Sequence, residues 1–233
     1  MSMDVKGVIG IVSSSYTTGQ SIYTDGQNSA DGAGGLRSIQ SFATASYTGE
    51  AFFDGYESFY GSATSWNDFA LSAFGGTGDM AAKNDVFRII CAKKAMASIV
   101  LFESMHQIEA ALALQGSGAA TWDGAWALYH GVDGTNSFYE ISAKRDNDYP
   151  TGVQTAQLVT GLFKQGQKSL NSESYSAYMA NQAAEAIRRL VAITVVRCAI
   201  KYPYKILSSG SFSQKCHQLL EPTDFAKNRI RKP

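Results

Sequence analysis

Residues 79–114 constrain this chain more than any other stretch. Val86, Ile89, Ile90, Met96, Ile99, Val100 and Phe102 recur there at helical spacing and mark one broad apolar face of a long helix. Asp79 is placed to cap its start, and Gln115-Gly116-Ser117-Gly118 to stop it. The same logic predicts a short helix over 122–130 behind a Thr121 cap. A third helix runs over 151–169 after Pro150. A fourth spans 172–202, where Pro203 disfavours helix in the residue before it. No period-2 alternation is strong enough for a sheet, so the expected class is all-α, an irregular helical bundle.

The first 80 residues read differently. They are rich in Gly, Ser, Thr and aromatics, with turn signals at Asp25-Gly26, Asp31-Gly32, Gly34-Gly35 and Gly75-Gly76. Two helical pieces are expected, over 36–45 and 49–60, and otherwise a long ordered loop of the kind that often binds something. The organisation predicted is one helical domain over residues 1–207 and a basic C-terminal tail over 208–233.

Composition narrows the function. At 233 residues the chain is long enough for one core. Only 17% of residues are charged, against about a quarter in an average domain, while 45% are hydrophobic, which excludes low-complexity disorder. Twenty basic residues balance twenty acidic ones, so a nucleic-acid partner is not expected. That balance joins unlike ends: residues 1–80 hold eight acids against Lys6 and Arg37, and residues 201–233 hold seven bases against Glu221 and Asp224. No run reaches the roughly 18 apolar residues of a membrane span, and the best, over 190–200, is broken by Arg197. Residues 8–12 are too short for a signal-peptide core, so any export signal is expected to be already missing. Cys91, Cys198 and Cys216 lie far apart, with no zinc or thioredoxin spacing, and leave the disulfide state open.

The few charges inside apolar rows carry the chemistry. Glu103, His106 and Glu109 are three residues apart and share a sector of the long helix about 120° wide. Glu103 continues the apolar row of Met96, Ile99 and Val100, so it points inward, where a carboxylate must be paired, protonated or bound to a cation. Arg197, between Val196 and Cys198, requires either a carboxylate or a bound anion. Trp122, Trp126 and Tyr129 form an aromatic stripe that ends beside His130. Tyr139 and Arg145 are expected in a loop over 137–149. Tyr, Glu and His are hard or borderline donors suited to Fe³⁺. No G-x-S-x-G elbow, P-loop or H-E-x-x-H occurs, so an enzyme is not expected.

Several short segments, in order, resemble one family. They are Ile22-Tyr-Thr-Asp-Gly26-Gln-Asn28-Ser29, Leu36-Arg-Ser-Ile-Gln-Ser-Phe42, Ile108-Glu109-Ala-Ala, Trp122-Asp-Gly-Ala-Trp126-Ala-Leu-Tyr129-His-Gly131, Ser137-Phe-Tyr139, Ala143-Lys-Arg145 and the Gly166-Gln segment. Together they resemble the low-iron-inducible, iron-assimilating periplasmic proteins of green algae, which are related to the phytotransferrins. The resemblance implies an exported, mostly helical protein that captures ferric iron at the cell surface for uptake. It also implies carbonate as a co-bound anion, since related phytotransferrins bind Fe³⁺ together with carbonate. Family members often carry more than one unit, and this chain is expected to hold one.

The residues then sort into roles. Glu103, His106, Glu109, Tyr129, His130 and Tyr139 are the candidate iron ligands, and Arg145 or Arg197 the candidate holder of carbonate. A cell-surface receptor or cell-wall component is a further expected partner. The competing reading is a metal-free cell-surface or cell-wall interaction module that uses the Gly/Tyr-rich N-terminal loops. A third is a metal-dependent oxidase built on the same cluster.

Overall fold

The computed structural model describes residues 1–12, 15–30, 34–171 and 175–208, and of 11–12 and 202–208 the backbone alone. Among these residues the chain forms ten α-helices and no strand, an all-α fold as the periodicity predicts. In order they are α1 (Ser2–Val12), α2 (Tyr16–Asp25), α3 (Ile39–Ala43), α4 (Ala51–Tyr60), α5 (Ser65–Gly75), α6 (Asp85–Ala113), α7 (Ala119–His130), α8 (Phe138–Asp148), α9 (Thr155–Ser169) and α10 (Ala177–Ser208).

The long helix α6 is the spine. Its 29 residues extend about 44 Å, enough to serve two cores in series. Its first half buries Phe87, Cys91, Met96 and Ile99 with Val5 and Val8 of α1, Tyr23 of α2, Ile39 of α3 and Phe74 of α5. Its second half buries Met105 and Ile108 with Trp122 and Tyr129 of α7, Phe163 of α9 and Ile187 of α10. Each such side chain taken out of water contributes about 1.5–3 kcal/mol, so both halves of α6 are firmly held. A smaller aromatic cluster of Tyr47, Phe53 and Tyr56, with Phe102 and Trp66 against it, lies over the seam between the two cores.

Local chemistry explains where the segments begin. Asn84, and not Asp79, caps α6: its side-chain oxygen accepts from the Phe87 N–H at 2.9 Å, while Asp79 lies in a short turn before it. Helix α7 starts at Ala119, ahead of the predicted Thr121 cap, where the chain passes so close to α6 that a Cβ on Gly118 would strike the Ala111 carbonyl at 2.0 Å. Residues 138–148 are helix and not the expected loop, with Ser137 accepting from the Glu140 N–H at its start. Helix α9 begins at Thr155 and not at Thr151, because the Asp146 carboxylate accepts the Thr155 and Ala156 N–H groups at 2.9 and 2.8 Å. Ring packing accounts for the Gly166-Gln segment, since a Cβ on Gly166 would lie 2.0 Å from the Trp122 ring.

Two expectations are corrected outright. The N-terminal stretch is not mainly loop: α1, α2 and α5 occupy it. Helix α2 buries only Gly19, Ile22 and Tyr23, and is started by Ser15, which accepts from Thr18 N–H, whereas α1 buries Val5 and Val8 and α5 buries Phe69, Ala70, Ala73 and Phe74 at helical spacing. In addition, α10 does not stop before Pro203 but continues to Ser208. A proline inside a helix costs about 3 kcal/mol by removing one backbone hydrogen bond, and Pro203 stands within the last two turns of α10. The expected start of that helix at Ser172, and the tail over 209–233, lie outside the described residues.

Candidate metal centre

Helix α6 sends Glu103 and His106 to one side, one turn apart, where the two cores meet. Across from them passes the linker over 44–50, which joins α3 to α4. Two of its side chains reach α6. The Tyr47 hydroxyl donates to Glu103 Oε2, and the Tyr47 ring stacks on the His106 imidazole with centroids 4.2 Å apart and planes 19° from parallel. His106 Nδ1 lies 2.7 Å from Glu50 Oε1. Gln107 Nε2 donates to Glu103 Oε1 at 2.7 Å, so both oxygens of this buried carboxylate are engaged.

The electrostatics of the cluster are uneven. Glu50 is 20% exposed and its carboxyl is held above its ordinary value by burial; the His106 contact opposes this, and the charges of Glu109 and Glu103 add to it. Its second oxygen, Oε2, is buried without a hydrogen bond. Burial also pushes the Tyr47 phenol well up, and the Glu103 carboxylate pushes it further. Glu109, one turn beyond His106, accepts from Arg188 of α10, which also reaches Glu185 at 3.3 Å. Among the described residues, no three His, Cys, Asp or Glu side chains stand close enough together to hold a metal ion. The donors are instead locked in pairs, Tyr47 with Glu103 and Glu50 with His106.

The other residues singled out from the sequence lie elsewhere. Tyr129 is fully buried, donates to Ser142 Oγ at 3.1 Å, and burial raises its phenol. His130 Nδ1 meets the Gly131 carbonyl at 2.9 Å, with its ring between Trp126 and Tyr139. Among the described residues no hydrogen bond or ring contact joins Tyr129, His130 or Tyr139 to Glu103, His106 or Glu109. Arg145 Nε stands 2.9 Å from Asp148, and Arg197 donates to Asp146 and to the Val153 carbonyl, both at 2.8 Å. The guanidinium beside the α6 acids is that of Arg188.

Tyr47 and Glu50 were not read as site residues from the sequence. Glu50 sits just before α4, where an acid reads as a cap or a partner for the helix dipole. In the structure it occupies the N-cap position but makes no side-chain cap, because its carboxylate is turned to His106. The one available signal is Gly49, a break placed between an aromatic and an acid ahead of an amphipathic helix.

The fold is free of membrane-spanning candidates in one respect: among the described residues no helix is long and apolar enough to cross a membrane. The model of the Fea1 family, described as a low iron-inducible periplasmic protein, matches residues 1–227. No curated protein and no solved structure matches the chain.

Proposed function

The chain belongs to the Fea1 family of low iron-inducible periplasmic proteins, and from that premise we propose that it binds ferric iron outside the cytoplasm for uptake, without chemical turnover. The observation that carries this reading is the pairing of a phenol with Glu103 and of a carboxylate with His106, side by side at one seam of the fold. Phenolate, carboxylate and imidazole are the donors that suit Fe³⁺. Each pair holds a proton where a cation is able to sit. Ligands of one ion at about 2 Å stand about 3 Å from each other, close to the 2.7 Å that separates His106 Nδ1 from Glu50 Oε1.

Glu50, Glu103, His106 and Tyr47 are the ligands of this reading, and three of them together offset the triple charge when Tyr47 is ionised. Carbonate as a co-bound anion falls to Arg188, because it reaches Glu109 on the same helix as Glu103 and His106, whereas Arg145 and Arg197 lie against Asp148 and Asp146. Because loading displaces protons, acid releases the ion.

Ferric titration with and without bicarbonate tests the reading. A visible phenolate-to-iron band is expected only when both are present, and Glu103→Gln combined with His106→Ala removes it. Iron binding that survives both changes, or protein purified without chelator that never takes up iron, overturns it. The latter result favours the metal-free interaction module.

A further inference from the structure

The two oxygens of Glu103 have partners of different kinds. Tyr47 donates to Oε2, and the same phenol ring lies against His106, so this oxygen belongs to the side where the donors gather. Oε1 is held from within α6, by Gln107 Nε2 at 2.7 Å. Gln107 stands four residues after Glu103, the spacing at which side chains of one helix meet. Helical side chains lean toward the N-terminus, so the amide reaches back to the carboxylate. It is turned the one way that bonds, since the reverse would set its oxygen against Oε1. Helix α7 flanks it without crowding it: a Cβ on Gly124 would stand 3.9 Å from Gln107 Oε1, an ordinary contact. Glu103 is buried and Gln107 half-buried, so the bond is sheltered from water.

We infer, building on the ferric reading above, that Gln107 determines which ion the site prefers. By occupying Oε1 it keeps Glu103 a one-oxygen ligand, which favours a small ion such as Fe³⁺ over larger ions of the same charge. An ion that took both oxygens of Glu103 would have to break the bond to Gln107 and leave that amide without its acceptor. Large hard ions gather many oxygens and commonly take two from one carboxylate, whereas a small ion is filled by one atom from each ligand. His106 and Tyr47 suit the small case, because each offers a single donor atom. Gln107 itself does not touch the ion. It is a positioning residue that acts through Glu103, as partners of metal-binding side chains generally do.

Gln107→Met, close in size but without a donor, tests this with two trivalent ions of different radius. Ferric affinity is measured by competition with nitrilotriacetate in bicarbonate, and terbium affinity by the emission that neighbouring tyrosine and tryptophan sensitise. Loss of the amide is expected to weaken ferric binding about tenfold or more. Terbium binding strengthens, since Glu103 is then able to give both oxygens. The phenolate band of the ferric form moves to shorter wavelength, because a carboxylate released from the amide gives more charge to the ion. Gln107→Asn keeps the amide but falls a methylene short; it shifts the ratio of affinities the same way and serves if the methionine variant does not fold. A ratio that stays constant, with both ions weakened alike or neither affected, overturns the role of Gln107 and leaves ferric binding standing. Wild-type protein that takes up no iron removes both.

Discussion

Two carboxylates sit at the contacts of helices with opposite degrees of satisfaction. Asp146, at the junction of α8, α9 and α10, has every acceptor in use: Oδ1 takes the Thr155 N–H, the Thr155 hydroxyl and Arg197, and Oδ2 takes the Ala156 N–H. Glu50, over the seam of α6, has one oxygen on His106 and the other buried without a partner, with Glu103 and Glu109 as like-charged neighbours. The first arrangement joins three helices and leaves nothing for a ligand. The second leaves the folded protein short of positive charge at one place. An incompletely satisfied carboxylate lowers stability, and a captured cation restores what it lacks. On the proposed ferric reading, the contrast separates a structural carboxylate from a binding one without reference to motif.

The largest expected effect belongs to the satisfied member. Asp146→Ala leaves the Arg197 guanidinium, 11% exposed, without its carboxylate and two N–H groups of α9 without their cap. Breaking a buried pair of this kind costs about 3–5 kcal/mol, read as a lowered midpoint in urea unfolding. Iron affinity of the folded fraction is unchanged, because no bond links Asp146 to the α6 cluster. A loss under about 1 kcal/mol breaks the comparison, for Asp146 would then behave as a surface ion pair.

The unsatisfied member responds with the opposite sign. Glu50→Gln keeps a partner for His106 and removes the ionised oxygens from beside Glu103 and Glu109. The metal-free protein is expected to gain about 1 kcal/mol in urea unfolding, since a lone unsatisfied buried group costs about 1–3 kcal/mol. The same variant binds ferric iron at least about tenfold more weakly, which is about 1.4 kcal/mol lost from the loaded state. Stability and binding move apart at Glu50 and stay uncoupled at Asp146. A variant at position 50 that loses both sharpens the contrast differently, by making Glu50 structural.

The sequence shows which of these residues were open to reading. Apolar and aromatic spacing of three and four reveals α6 and α7, because each presents large side chains to a core, while α9 is expected from the Pro150-Thr151 start. In residues 1–80 the same spacing is present in α1 (Val5, Val8) and α5 (Phe69, Ala70, Ala73, Phe74) but is hidden among Gly, Ser and Thr, and α2 buries only Gly19, Ile22 and Tyr23. The unusual placement of Glu103 and Arg197 within apolar rows was visible, and both are buried as that placement requires. Their partners were not visible. Tyr47 lies 56 residues before Glu103, Glu50 the same distance before His106, and Asp146 lies 51 residues before Arg197. Spacing along one helix identifies residues that share a face. It carries no information about which loop crosses that face, because packing of the whole chain decides this. Tyr129, His130 and Tyr139 show the converse: neighbours in sequence with ligand chemistry are gathered into one aromatic group by core packing.

The smallest effect is a pH profile, and its sign is fixed by the raised Glu50 carboxyl. Burial, with Glu109 and Glu103 beside it and His106 opposing, places this group above its ordinary value in the folded state. A carboxyl raised on folding contributes stability while it is protonated, and loses that contribution as pH climbs through its folded value. Asp4 has the opposite sign: burial would raise it, but Ser29 and Asn28 donate to its carboxylate and hold it below its ordinary value. The two trends overlap in the whole protein, so the wild type alone does not isolate either. The difference between wild type and Glu50→Gln does. Below about pH 4, where a free carboxyl is protonated, the two proteins have nearly equal stability, because a neutral Glu and a Gln make the same demands. The advantage of Glu50→Gln then opens as pH rises and becomes flat above the folded value of Glu50. Urea midpoints measured at each pH without metal trace this curve. An advantage that is already full at low pH assigns the gain to packing and not to charge, and with it the distinction between Glu50 and Asp146 would rest on geometry alone.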